Sequence, residues 1–163
     1  KQKNSIAFYK LGKLYYYGRG VDQDFKQSER YFLLASKEQY HKAYYQLGIM
    51  HKNGQGVERN YQKAKSYFEI SASLNNSDSL YQIGTLYFYG YIDDDNNYIK
   101  AKVFFELSVQ KNNLNSLFYL GTLYEKDYGV IRDISKAIEV LKGWSIQESN
   151  SNNIKKSTIK LNC

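Results

Sequence analysis

A nine-residue pattern occurs four times along the chain, and its spacing limits the possible folds more than any other feature. It reads AFYKLGKLY at 7–15, AYYQLGIMH at 43–51, SLYQIGTLY at 79–87 and SLFYLGTLY at 116–124. The shared glycines are Gly12, Gly48, Gly84 and Gly121, so the period is 36, 36 and 37 residues. A second block follows each glycine at a near-constant distance: QSERYF (27–32), KAKSYF (63–68), KAKVFF (100–105) and KAIEVL (136–141). The extra residue of the third unit lies between its blocks, in YGYIDDDNNYIKA, and an insertion confined there marks a loop. Self-similarity at this period points to small units that bury their apolar faces only by stacking.

Each block has helical period. Ala7, Leu11 and Leu14 fall at i, i+4 and i+7, and so do Ser28, Phe32 and Ala35, which specifies one buried face per helix. Asp24, Asn60, Asn97 and Asp133 stand just before the second block, where a side-chain oxygen can cap free N–H groups. Asn75 and Asn112 stand where that helix should end, and asparagine tolerates the left-handed backbone found there. The A helices are expected near 5–17, 41–53, 77–89 and 114–126, and the B helices near 25–38, 61–74, 98–111 and 134–147. The fold class is therefore all-α: a right-handed α/α superhelical solenoid of four helix-loop-helix repeats of about 36 residues. The repeats run about 5–40, 41–76, 77–113 and 114–149, with 1–149 as the solenoid and 150–163 as a polar C-terminal tail or short capping segment.

The loops carry their own signature: GRGV at 18–21, GQGV at 54–57 and DYGV at 127–130. This is not a dinucleotide fingerprint, because the third glycine is missing, no strand precedes the loop, and the feature recurs. The glycine inside each A helix costs about 1 kcal/mol relative to alanine. Its return at one register in four units implies close approach of another helix.

These residues resemble the Sel-one-like repeat, a cousin of the tetratricopeptide repeat. That family's pattern is approximately A-x-x-x-L-G-x-x-Y-x-x-G-x-G-V, followed by D-x-x-K-A-x-x-Y-F-x-x-A-A. The second unit, AYYQLGIMHKNGQGVERNYQKAKSYFEISA (43–72), matches nearly position by position, departing at His51, Asn60 and Ser71. The resemblance covers 5–146. It implies an α/α superhelix used for protein–protein contact, and no catalytic residues. Some bacterial members carry a disulfide in each repeat, a feature this sequence lacks.

Composition narrows the remaining classes. Of 163 residues, 42% are hydrophobic and 24% charged, enough apolar material for a core. No apolar run approaches the ~18 residues of a membrane span. The one cysteine, Cys163, excludes an intrachain disulfide framework, and at a terminus it lacks the rigid setting a catalytic thiol needs. The two histidines, His41 and His51, are ten apart and cannot share a helical face as a metal pair would; His51 replaces a recurrent tyrosine (Tyr15, Tyr87, Tyr124), which favours a structural role. Asp93-Asp94-Asp95 departs from a calcium loop, with Tyr98 where the glycine belongs, and reads as a solvated turn. No cofactor, metal or small-molecule substrate is expected, and the protein is not expected to be an enzyme.

The expected functional surface is the concave face lined by the A helices, where the core positions repeat and the exposed ones vary. Unit one places Tyr9, Lys13, Tyr16 and Tyr17 there; unit two, Tyr45, Ile49, Lys52 and Asn53; unit three, Tyr81, Thr85, Phe88 and Tyr89; unit four, Phe118, Thr122, Glu125 and Lys126. The first member is aromatic in every unit, which suggests packing between neighbours. Amphipathic rings flanked by lysines suit a peptide or protein partner. The net charge of +7 makes that partner acidic or mixed aromatic-acidic. The leading reading is a protein-interaction module or adaptor. An immunity or inhibitor protein that neutralises a toxin or enzyme is the alternative, and nucleic-acid binding the weaker one, because the lysines are spread along the chain. The compartment stays open between cytoplasmic and exported. Trp144, at the position of Ala35, Ser71 and Ser108, is expected to cover the exposed end of the array.

Overall fold

The computed structural model describes residues 2–92, 95–126, 128 and 131–146. The described residues are helices joined by short loops, with no strand. The A helices are α1 (Gln2–Tyr17), α3 (His41–Asn53), α5 (Ser77–Phe88) and α7 (Asn115–Lys126). The B helices are α2 (Phe25–Ser36), α4 (Tyr61–Ser73), α6 (Asn97–Gln110) and α8 (134–146). α2, α4 and α6 lie against their own A helices α1, α3 and α5 and also pack on α3, α5 and α7, and Leu141 of α8 lies over Gly121 of α7. The tail 150–163, Cys163, Asp93 and Asp94 lie outside the described residues.

The chain reads its own stop and start signals. Asp24, Asn60 and Asp133 accept hydrogen bonds from the N–H groups of Gln27, Lys63 and Lys136 at 3.0, 2.8 and 2.9 Å. Each satisfies one of the N–H groups a helix start leaves unpaired. Asn97 does not cap as expected. It is the first residue of α6, and Asn96 takes the N-cap position without a side-chain cap bond. The extra residue of this loop moves the boundary by one. Asn75 and Asn112 turn the chain out of α4 and α6 with φ of 66° and 63°; in the first unit Gln39 does so at 54°.

The core repeats one contact. Phe32, Phe68 and Phe105 are fully buried, and each lies across the mid-helix glycine of its own A helix. A Cβ on Gly12 or Gly84 would come within 2.6 Å of the ring, and one on Gly48 would overlap Phe68. Leu141 takes the ring's place over Gly121. Small residues complete the fit: Ser28, Ala43, Ala64, Ser79, Ala101 and Ser116 are all buried. Ser71 and Ser108 donate their hydroxyls to the carbonyls of His41 and Ser77, the first residues of their own A helices. Beside this seam His51 stacks on Tyr67 (5.4 Å, 16°), as Tyr15 does on Tyr31 (5.6 Å, 10°) and Tyr87 on Phe104 (5.8 Å, 11°). The histidine is a tyrosine substitute in the packing. Trp144 is half-buried with its ring 5.5 Å from Phe118, and Phe118 as well as Ile134 and Ile138 of α8 remain exposed.

Candidate functional site

The A helices lie side by side, and their facing side chains join into one surface. On α1 the ring of Tyr9 packs against Phe32 (5.7 Å) and Tyr40 (5.2 Å), and Lys13 sets its ammonium 5.8 Å from the rings of Tyr9 and Tyr17. Tyr16 lies against Phe25 and donates its hydroxyl to Gln55 of the next unit at 2.6 Å. Tyr17 is exposed. On α3 Tyr45 rests on Phe68, Ile49 is half-buried against the core, and Lys52 donates to the Gln82 side chain at 2.7 Å. Burial holds the Lys52 ammonium below its ordinary pKa.

On α5 the structure corrects one expectation. Thr85 is only 4% exposed and donates its hydroxyl to the Gln82 carbonyl, so it offers nothing to a partner. Its short side chain turns back onto its own helix, whereas the long Lys13 side chain reaches the rings of Tyr9 and Tyr17. Tyr81 packs on Phe105 and on Tyr119 of α7. Phe88 is half-buried, with the rings of Tyr98, Tyr119 and Tyr128 around it at 5.9, 5.1 and 6.4 Å. It builds the surface more than it presents itself. Tyr89 is exposed, its hydroxyl 3.2 Å from that of Tyr119. A cavity of about 510 Å³ opens between α5, α6 and α7, lined by Phe88, Tyr89, Tyr98, Tyr128, Thr122 and the exposed Lys126. Burial raises the pKa of Tyr9, Tyr16, Tyr45 and Tyr119, so these phenols stay protonated donors.

Gln46, Gln82 and Tyr119, one residue after the aromatic Tyr45, Tyr81 and Phe118, were not among the expected surface residues. Each reaches back to the preceding A helix: Gln46 to Tyr9, Gln82 to Tyr45 and Lys52, Tyr119 to Tyr81 and Phe88. Their return at the repeat spacing is a signal in the sequence. Charge is arranged differently on the two helix rows. The ion pairs Lys65–Glu69 and Lys102–Glu106 lie along α4 and α6, whereas Lys13 meets rings and Lys52 an amide. Among the described residues no group of His, Cys, Asp and Glu could hold a metal ion, and no helix is long and apolar enough to cross a membrane.

Known structures share this architecture. A Sel1 repeat protein from Oxalobacter formigenes is 24% identical, with a TM-score of 0.80 over 90% of this chain and 58% of that one. The protein c5321, a protective antigen of uropathogenic Escherichia coli with an SLR fold, is 25% identical, with a TM-score of 0.77 over 91% of this chain and 31% of that one. The immunity protein Pa5087 from Pseudomonas aeruginosa is 21% identical, with a TM-score of 0.56 over 83% of this chain and 50% of that one. The chain thus spans between 31% and 58% of the length of these proteins. No curated protein sequence matches it. The family model for the Sel1 repeat matches at residues 5–40, 41–76, 77–113 and 114–139, which together cover most of the chain. With four such repeats stacked as an all-α solenoid, the chain belongs to the Sel1 repeat family, a family of non-catalytic scaffolds for protein–protein interaction.

Proposed function

We propose that this chain is a non-enzymatic interaction module whose A-helix face grips a partner segment of acidic or mixed aromatic-acidic character. The observation that carries this reading is the cavity between α5, α6 and α7. Its walls are largely aromatic, and among the described residues the cation that lines it, Lys126, is exposed. At about 510 Å³ it lies in the range of a typical ligand pocket and can take one large side chain. Ring edges and a free ammonium favour an aromatic side chain with a carboxylate beside it. The track continues to the half-buried Lys52 on α3 and to Lys13 and the exposed ring of Tyr17 on α1, so the contact would be extended.

Tyr89 and Lys126 are the residues to change, because both are exposed and neither supports the core. On an array of synthetic peptides, the wild-type chain should retain sequences that place Asp or Glu next to Tyr, Phe or Trp. Tyr89→Ala with Lys126→Glu should weaken that retention at least about tenfold, the effect of losing about 1.4 kcal/mol, at an unchanged melting temperature. Equal retention by the double variant, or a preference for basic peptides, would refute the reading. A neutraliser of a toxin or enzyme would use the same face. The likeness to an immunity protein is one of fold and adds no residue in its favour. Nucleic acid fits less well, since Lys52 is half-buried and engaged by Gln82 rather than set in a phosphate-facing stripe.

A further inference from the structure

The outer side of α2 differs from that of the B helices after it. A recess of about 440 Å³ opens along this helix, lined by the cations of Lys26, Arg30 and Lys37, by Leu33 and Leu34, and by Glu29. The cations and leucines share the side of α2 turned away from the buried Ser28, Phe32 and Ala35. Lys26, Arg30, Leu33 and Lys37 are exposed, and Leu34 is half-buried. At a rise of about 1.5 Å per residue the three cations span roughly 16 Å along the helix.

The repeat does not require these cations. At the positions of Lys26, Arg30 and Lys37 the second unit has Gln62, Ser66 and Ser73, and the third has Ile99, Val103 and Gln110. The internal ion pair of the outer side is also gone. Lys65–Glu69 and Lys102–Glu106 pair along α4 and α6, and at the same two positions α2 has Glu29 and Leu33. Among the described residues Lys26, Arg30 and Lys37 form no ion pair. Glu29 stands at the margin of the recess, its charge felt by His51 and Tyr67 of the next unit. Three uncompensated cations around two leucines are a surface built for an anion that also carries apolar groups.

We propose that this recess binds an acidic amphipathic helix of another protein, which seats its apolar ridge on Leu33 and Leu34 and sets its carboxylates against Lys26, Arg30 and Lys37. Charge names the occupant. A second copy of this chain brings a net charge of +7, and residues 147–163 carry three lysines against one glutamate, so both have the wrong sign. A phosphate surface fits less well, because the two leucines offer it no donor and Glu29 repels it. A flat bilayer cannot enter a recess, whereas the side-chain ridge of a helix can. The recess lies on the B-helix row, separate from the A-helix face, and stands without the partner reading made for that face. It gives the module a second docking place.

Fluorescence anisotropy with a labelled synthetic helical peptide tests this. The peptide carries Glu at i, i+4 and i+11 and Leu at i+7 and i+8, the spacing of the recess itself. The wild-type chain should bind it saturably, and less tightly as salt rises. Lys26→Glu with Arg30→Glu should weaken binding at least about tenfold. Leu33→Ser, which keeps the charge, should weaken it at least about threefold. Lys63→Glu with Lys142→Glu removes as much charge from exposed positions elsewhere and should leave binding within about twofold. All five side chains are exposed, and circular dichroism should show every variant folded. The proposal is overturned by a wild-type chain that does not bind, by an equal loss in the Lys63 and Lys142 pair, or by equal binding of a peptide with Gln in place of Glu. Tighter binding to phosphatidylserine vesicles or to single-stranded DNA, lost with Lys26→Glu and Arg30→Glu, would overturn it in favour of a phosphate surface. Loss of the peptide with Tyr89→Ala and Lys126→Glu, but not with Lys26→Glu and Arg30→Glu, would move the contact to the A-helix face.

Discussion

The same substitution should have opposite signs at two glycines of this chain. A methyl group on Gly48 overlaps the buried Phe68 ring, which lies between two helices and cannot withdraw. Overpacking of this kind costs about 1–3 kcal/mol, more than the roughly 1 kcal/mol that alanine gains in a helix. Gly143 on α8 has nothing within 4 Å of its added Cβ. Gly48→Ala should lower stability, and Gly143→Ala should raise it by about 0.5–1 kcal/mol, both read from urea melts. His51 gives the chain a pH dependence. Burial, then the charge of Lys63, hold its pKa below the ordinary 6.5, with the Glu58 carbonyl and Glu29 opposing more weakly. The folded chain therefore keeps the neutral ring, while the unfolded chain takes up a proton as pH falls through 6.5. The contribution of His51 is complete above that pH and is lost below it, toward the folded pKa. His51→Tyr, which restores the residue of the other units, should make the melting temperature fall less between pH 7 and pH 5. His41, whose pKa is lowered in the same direction by burial and Lys42, adds to this acid sensitivity.

At the scale of the element, α8 is held to α7 by contacts of its own, with Leu141 over Gly121. Trp144 ties it to α7 through Phe118, where the inner B helices use a small residue. Trp144→Ala should cost about 1–2 kcal/mol in a half-buried ring contact, which for a chain of this size is a drop of roughly 2–8 °C in a thermal melt. An unchanged melt would mean that the ring does not hold the end of the array. Helix ends were legible wherever a unit has the common length, because Asp24, Asn60 and Asp133 cap as their type requires. They were less so at α6, where one added residue moved the start to Asn97.

For the whole molecule, the sequence carried the layered fold because each unit repeats the same internal contact, and a register seen four times leaves little freedom. The surface was legible only in part. Periodicity within one helix places Tyr17, Tyr89 and Lys126 correctly on the outside. It cannot show that Thr85 is covered, or that Gln55, Gln82 and Tyr119 cross to the unit before them. Those contacts depend on how far one layer is turned against the next, which no single helix encodes.

The fit of ring to glycine inside each hairpin has a consequence for change over time. Because the lock closes within a unit, a duplication or loss that cuts at Tyr40/His41 and Asn76/Ser77 returns two surfaces that already match. A cut inside a hairpin would instead part a ring from its glycine. The chain can therefore grow or shrink by whole hairpins, while its loops absorb single residues.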